Sequence, residues 1–214
     1  MFEKLYSLTV CFFFGETFLE DKGENPRFEI LGVFGSGKTT IANSLSNSSP
    51  LVSMLEDHTL NPYWGKNKLL DRGGKLAYDI SFLVQHMHLV QSGMLEFPSR
   101  PLICDWSFQT DNLWASLRLS DDSMAAYSGV FESFIGSLPS PRGYLYISVD
   151  PFEIYSRIQK RGRIPELEID QASIAAAHKL VKQKVDSIPI EDIFVIDESV
   201  DLNEIIEFVN EKLR

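Results

Sequence analysis

The residues with the clearest chemical purpose form the run Gly32-Val33-Phe34-Gly35-Ser36-Gly37-Lys38-Thr39, which satisfies GxxxxGK[ST] at every fixed position. An apolar stretch of strand length precedes it and a helix-compatible stretch follows, the context this pattern needs. Glycines let the backbone curl until successive amides point at a phosphate, reinforced by the helix N-terminus. Lys38 is placed to reach the β- and γ-phosphates and the Thr39 hydroxyl to ligate magnesium. Gly32, Phe34, Gly35, Ser36, Gly37, Lys38, Thr39 and Thr40 are therefore the predicted phosphate-holding set, with ATP and Mg2+ as ligands. A glycine-rich turn that binds nothing is the plainer alternative, and agreement of motif and context weighs against it. The loop does not by itself name a reaction, since GTPases, motor ATPases and small-molecule kinases share it. An Asn-Lys-x-Asp base-reading sequence is missing from the chain.

Two carboxylates and a basic cluster complete the candidate chemistry. Glu56 and Asp105 each follow an apolar run, so each is predicted at the carboxyl end of a strand, where the phosphate loop also opens. A carboxylate there can take the proton of an attacking hydroxyl, and a second can hold magnesium and orient the nucleophile. For Glu56 taken alone a solvated loop residue is the plainer reading, and Asp105 has the bland alternative of merely ending its strand. Arg157-Ile158-Gln159-Lys160-Arg161-Gly162-Arg163 places four cations within seven residues of an acidic chain. Arginine's planar fork suits the oxygens of a phosphoryl group in flight, against the alternative of a solvated basic helix end.

Taken in order, these segments resemble the deoxynucleoside kinase family from about Phe28 to the C-terminus. Glu56 followed by Asn61-Pro62-Tyr63 is similar to that family's strand-end glutamate with its Asn-Pro-aromatic sequence. Asp105-Trp106-Ser107, then Asp111 and Leu113-Trp114-Ala115, resembles the family's Asp/Glu-Arg-Ser motif. Arg157–Arg163 resembles its lid, and Glu166 falls where the family has a glutamate that contacts the sugar 3′-hydroxyl. Asp79, Phe82, Leu83 and His86 share one helical face, which in the family lines the base pocket. Asp192–Asp197 resembles the last strand and the turn near the adenine of ATP. The resemblance implies transfer of the ATP γ-phosphate to the 5′-hydroxyl of a (deoxy)nucleoside. It makes Glu56, Lys38, Asp105, Arg157, Arg161 and Arg163 the catalytic set and Thr39 and Asp105 the magnesium ligands. Glu56, Tyr63, Asp79, Phe82, Trp106, Asp111 and Glu166 become the nucleoside-binding set. It also implies a homodimer.

The departures fall in the nucleoside pocket. The glutamine slot holds Asp79, which when ionised only accepts hydrogen bonds and so favours a base edge rich in N–H donors. Gln85 lies on a different face. Trp106 replaces an arginine and leaves Asp111 without its usual partner. Lys68 replaces a tyrosine, for which Tyr63 and Trp64 are candidate substitutes. Three other readings stay open: a nucleoside monophosphate kinase using Arg72 and Lys75, a kinase of another small hydroxyl compound, and a nucleotide-binding accessory protein without turnover. His58, His86, His88 and His178 form no metal spacing, and His58, close enough to Glu56 to touch substrate, is read as a loop histidine.

Positioning these groups requires strands that end together. Runs at Phe28–Val33, Leu51–Leu55, Pro101–Asp105, Gly143–Ser148 and Ile193–Ile196 have strand length and are largely apolar, as in a parallel sheet buried on both faces. Helix-compatible stretches separate them: Lys38–Ser46, Gly74–Gln91, Asp122–Ser137, Pro151–Lys160 and Asp170–Val185, with Asp201–Lys212 closing the chain. The expected fold is α/β, a P-loop three-layer fold with a five-stranded parallel sheet flanked by helices and a short arginine-rich lid. Residues 1–26 are read as an extension of unclear role and 27–214 as one domain. The chain has 214 residues and a net charge of −10, which argues against a nucleic-acid polymer as partner. Leu8–Phe14 is too short to span a membrane, and it lacks a basic start and a cleavage site. Two cysteines, Cys11 and Cys104, make no disulfide framework, so a reducing cytoplasm is the expected setting.

Overall fold

The computed structural model describes residues 25–214. Five parallel strands, β1 (Arg27–Leu31), β2 (Val52–Met54), β3 (Leu102–Cys104), β4 (Gly143–Ile147) and β5 (Ile193–Ile196), form one sheet in the order β2-β3-β1-β4-β5. Glu29 lies in register with Cys104 of β3 and Tyr144 of β4, so neighbouring strands end close together. The expectation that residues up to 26 stand apart from the domain falls mostly outside the described residues. Asn25, however, is buried and donates to the carbonyls of Phe97 (2.7 Å) and Arg100 (3.0 Å).

Both faces of the sheet are covered, as the apolar runs require. Residues of a strand alternate between faces. Phe28 and Ile30 of β1 pack with Leu45 of α1 (Lys38–Ser48) and with Ile205 and Val209 of α9 (Leu202–Leu213). Leu31 instead packs with Ile154 and Ile158 of α6 (Pro151–Arg161) and Ile174 of α8 (Gln171–Val185). A third cluster, around Leu83, Val90, Trp106, Ala115 and Tyr127, joins α3 (Lys75–Glu96), α4 (Phe108–Arg118) and α5 (Asp121–Gly136) beside β2 and β3. Two one-turn helices complete the set, α2 (Asn67–Leu69) before a kinked segment leading into α3, and α7 (Ile164–Leu167) in the lid. None of the described helices is long and apolar enough to cross a membrane.

The helix α4 is absent from the sequence expectation, which runs from the β3 strand end to Asp122 without one. Its apolar residues are interrupted by Gln109, Asp111 and Asn112, which mask the periodicity. Its start is nonetheless well specified. Ser107 caps it by accepting from the Gln109 amide (3.1 Å), a standard N-terminal device. The Ser107 hydroxyl in turn donates to Glu29 (2.8 Å), whose carboxylate also accepts from the Phe108 amide (3.1 Å) and pairs with Arg27 (3.0 Å). Buried charge on β1 thus anchors the first turn of the helix that carries Asp111 and Arg118.

Candidate active site

At the carboxyl ends of β1, β2 and β3 a cavity of about 670 Å³ opens, walled by the glycine loop, α3, α4 and the lid. Gly32, Gly35 and Gly37 have φ values of 153°, 84° and 109°. All three lie where a side chain is strained, which is why the loop needs glycine there. A Cβ on Gly35 would also stand 2.8 Å from Ile158, so the loop lies directly on the lid helix. Lys38 donates to the carbonyls of Gly32 (2.9 Å) and Val33 (3.2 Å), and burial draws its pKa below the ordinary lysine value. All the predicted loop residues line the cavity except Ser36. Ser36 is buried beneath it, and its carbonyl accepts from Arg157 at 3.2 Å.

Glu56, Asp105, Asp111 and Thr39 are joined into one network. Thr39 donates to Asp105 Oδ2 at 2.6 Å, and the Glu56 amide donates to Asp105 Oδ1 at 2.8 Å. The centre of the network is a residue that the sequence reading set aside. His86 reaches Asp111 through Nδ1 (2.7 Å) and Glu56 through Nε2 (3.0 Å). Its ring stacks on Trp106 at 4.4 Å with an interplanar angle of 15°. Burial alone would lower its pKa, but the charges and hydrogen bonds of Asp111 and Glu56 raise it to about 9. The ring is therefore an imidazolium that donates to both carboxylates. Glu56 is pushed upward by burial, yet His86, with Lys38 and His58, holds it below its ordinary value, so it is ionised. Asp111 lacks the arginine, as read from the sequence, but has His86 as its cationic partner. Histidine stands in for the arginine, two helical turns from Asp79.

The remaining candidates divide. Asp79, Phe82 and Trp106 line the cavity, with Asp79 paired to Arg118 of α4. Burial lifts Asp79 to about 6 against the pull of Arg118. The Trp106 ring is buried and stacks on His86. Tyr63 does not line the cavity and lies against Gly74, while Trp64, Tyr78 and Tyr127 do line it. Gln85 faces away and donates to the Asp57 carbonyl at 2.7 Å. Glu166, expected at the sugar, lines the cavity and is buried, with its oxygens paired to Arg161 and to Arg163 (3.6 Å). All three lid arginines line the same cavity. Sequence reasoning placed His86 on the pocket face of its helix without its bonds to Asp111 and Glu56, and it missed Arg118. Their signal was spacing, each lying seven residues beyond a named candidate on its own helix, Asp79 and Asp111 respectively.

Thr39 Oγ1 and Asp105 offer a hard, oxygen-only donor pair, the chemistry that magnesium takes together with phosphate oxygens and water. Among the described residues no group of three or more His, Cys, Asp or Glu could hold a metal without such help.

A family model described as deoxynucleoside kinase matches residues 28–213. A deoxyguanosine kinase from Bacillus subtilis is 27% identical over 150 residues, covering 68% of this chain and 71% of that protein. Among solved structures, deoxyadenosine kinase from M. mycoides with bound dCTP superposes with a TM-score of 0.67 at 22% identity, covering 87% of this chain and 98% of that one. The same enzyme with bound dATP gives 0.66 at 20% identity, over 88% and 98%. At those identities the structural likeness speaks for the fold.

Proposed function

The chain belongs to the deoxynucleoside kinase family and is a nucleoside phosphotransferase, and we propose that Glu56 is the base that delivers the 5′-hydroxyl of a deoxynucleoside to the γ-phosphate of ATP. The observation that carries this reading is the position of Glu56. An ionised carboxylate is tied by His86 on one side and through its own amide to Asp105 on the other, in the cavity that the phosphate loop shares. The 5′-oxygen loses its proton to Glu56 and forms the new bond to phosphorus. The bond to the β-γ bridging oxygen breaks, and ADP leaves with that electron pair. Lys38, Arg157, Arg161 and Arg163 supply cations for the charge on the equatorial and leaving oxygens. Thr39 and Asp105 would hold Mg2+, which when bound neutralises phosphate charge.

Glu56→Gln tests the role. It keeps size and one acceptor but cannot take the proton. Turnover should fall by about 10²–10⁴ while ATP binding, followed by calorimetry, stays within about threefold. Unaltered turnover would sink the assignment of the base. Monophosphates as acceptors are disfavoured, because Arg72 and Lys75 are exposed and neither lines the cavity. From family membership we also propose a homodimer, to be checked by light scattering. A cytoplasmic setting and one domain from residue 27 onward are proposed from the sequence.

A further inference from the structure

We propose that the Asp79–Arg118 pair reads the nucleobase, and that its arrangement selects guanine. This rests on the nucleoside kinase reading and names the substrate within it. Asp79 precedes His86 by two turns of α3 on one face, about 10 Å along the axis at 1.5 Å per residue. His86 holds Glu56, so Asp79 stands a nucleoside's length from the reacting oxygen. Asp111 bonds His86 (2.7 Å), and Arg118, seven residues further along α4, bonds Asp79, so α3 and α4 together carry the Asp79 end away from the His86–Glu56 contact.

The Asp79 end is built for a flat, polar-edged ring. Tyr78, Phe82, Trp106 and Tyr127 line the cavity with Asp79, and Tyr78 touches both Phe82 and Arg118. Asp79 is 6% exposed and its Oδ2 makes no hydrogen bond, and the Trp106 Nε1 and Tyr127 hydroxyl are likewise buried without partners. Unpartnered buried polar atoms on residues that line a cavity are costly unless a ligand satisfies them, the carboxylate oxygen most of all. The Asp χ2 torsion is broad, so Oδ2 can turn to a ligand while Oδ1 stays on Arg118. The Arg118 guanidinium lies 4.6 Å over the Tyr78 ring and reaches the cavity.

Chemistry then discriminates. Asp79 accepts and Arg118 donates. Guanine places the adjacent donors N1–H and N2–H2 beside the O6 acceptor, matching a carboxylate with a guanidinium next to it. Adenine and cytosine set a ring-nitrogen lone pair beside a single amino group, which the carboxylate repels. Thymine has one N–H between two carbonyls. A site built on a buried carboxylate rejects a base that leaves it unpaired far more strongly than a change of size would.

The test compares kcat/KM for deoxyguanosine, deoxyinosine, deoxyadenosine and deoxycytidine in the wild type and in Asp79→Asn. The wild type should prefer deoxyguanosine over deoxyadenosine by about 100-fold or more, with deoxyinosine between them for want of the 2-amino group. In Asp79→Asn the guanine-to-adenine ratio should drop about 100-fold. A wild-type preference for another base, or an equal loss on every nucleoside, would overturn the proposal. Calorimetric binding of deoxyguanosine and deoxyadenosine to both proteins provides a readout without turnover. Absent phosphorylation of any nucleoside would defeat the kinase reading, whereas the base proposal stands or falls on whether only the wild type binds deoxyguanosine more tightly than deoxyadenosine.

Discussion

At the scale of single residues the site turns on His86. A neutral imidazole could donate to only one of its two carboxylate neighbours, and the other contact would set lone pair against lone pair. As an imidazolium it satisfies Asp111 and Glu56 together, and Trp106 fixes its plane. Its folded pKa of about 9 stands above the ordinary 6.5. The stability it contributes is therefore complete below about pH 6.5 and is lost as pH rises through about 9. Turnover should follow the same limb, because deprotonation frees Glu56 to turn from its place. His86→Gln, which cannot carry charge, should lose that limb, and the buried partner left behind should cost about 3–5 kcal/mol by urea denaturation. A pH–rate profile unchanged in the variant would show that His86 does not govern Glu56.

At the scale of elements, α4 decides how the pocket is closed. It brings Asp111 to His86 and, two turns on, Arg118 to Asp79. Its start depends on Ser107, which serves Gln109 and Glu29 at once. Ser107→Ala should reduce stability by about 1–3 kcal/mol, combining a lost cap with a lost bond to a buried carboxylate. It should also raise KM for nucleoside more than for ATP, since α4 carries Asp111 and Arg118. The loop rests on α6 through Gly35. Gly35→Ala meets both a positive φ and Ile158, so it should lower ATP affinity at least tenfold by calorimetry.

At the scale of the whole molecule, an acidic chain concentrates its useful cations at one cavity. The lid arginines are partly neutralised by Glu166 and Glu153. Phosphates must compete for them, so substrate binding and lid placement are linked. MgATP at 100 times its Kd should add about 2.7 kcal/mol to unfolding stability, seen as a rise in Tm. In Lys38→Ala most of that rise should vanish at the same ATP concentration. A variant with an undiminished rise would place the nucleotide elsewhere.

The amino-acid sequence by itself determined the strands, the alternation of strand and helix apart from α4, and the phosphate loop. Those depend on short-range patterning, on glycines where a side chain would strain, and on residue types at fixed spacing. β5 was read to the residue and the other strands to within one or two positions at each end, because strands buried on both faces must be continuously apolar. Glu56, Asp105 and the lid arginines were legible for the same reason, standing at strand ends or in a dense run. Only the tertiary structure decided the partners. His86 on α3 meets Asp111 on α4 across 25 residues, and Asp79 meets Arg118 across 39. Such pairs leave no local signature, because the cost of burying a charge is settled by whatever the fold brings beside it. Tyr63, named for the nucleoside, lies outside the cavity lining, whereas Trp106 and Glu166 line it with partners that no local signal names. An aromatic or a carboxylate carries its chemistry in the sequence, but the packing of α3, α4 and the lid decides which surface it faces.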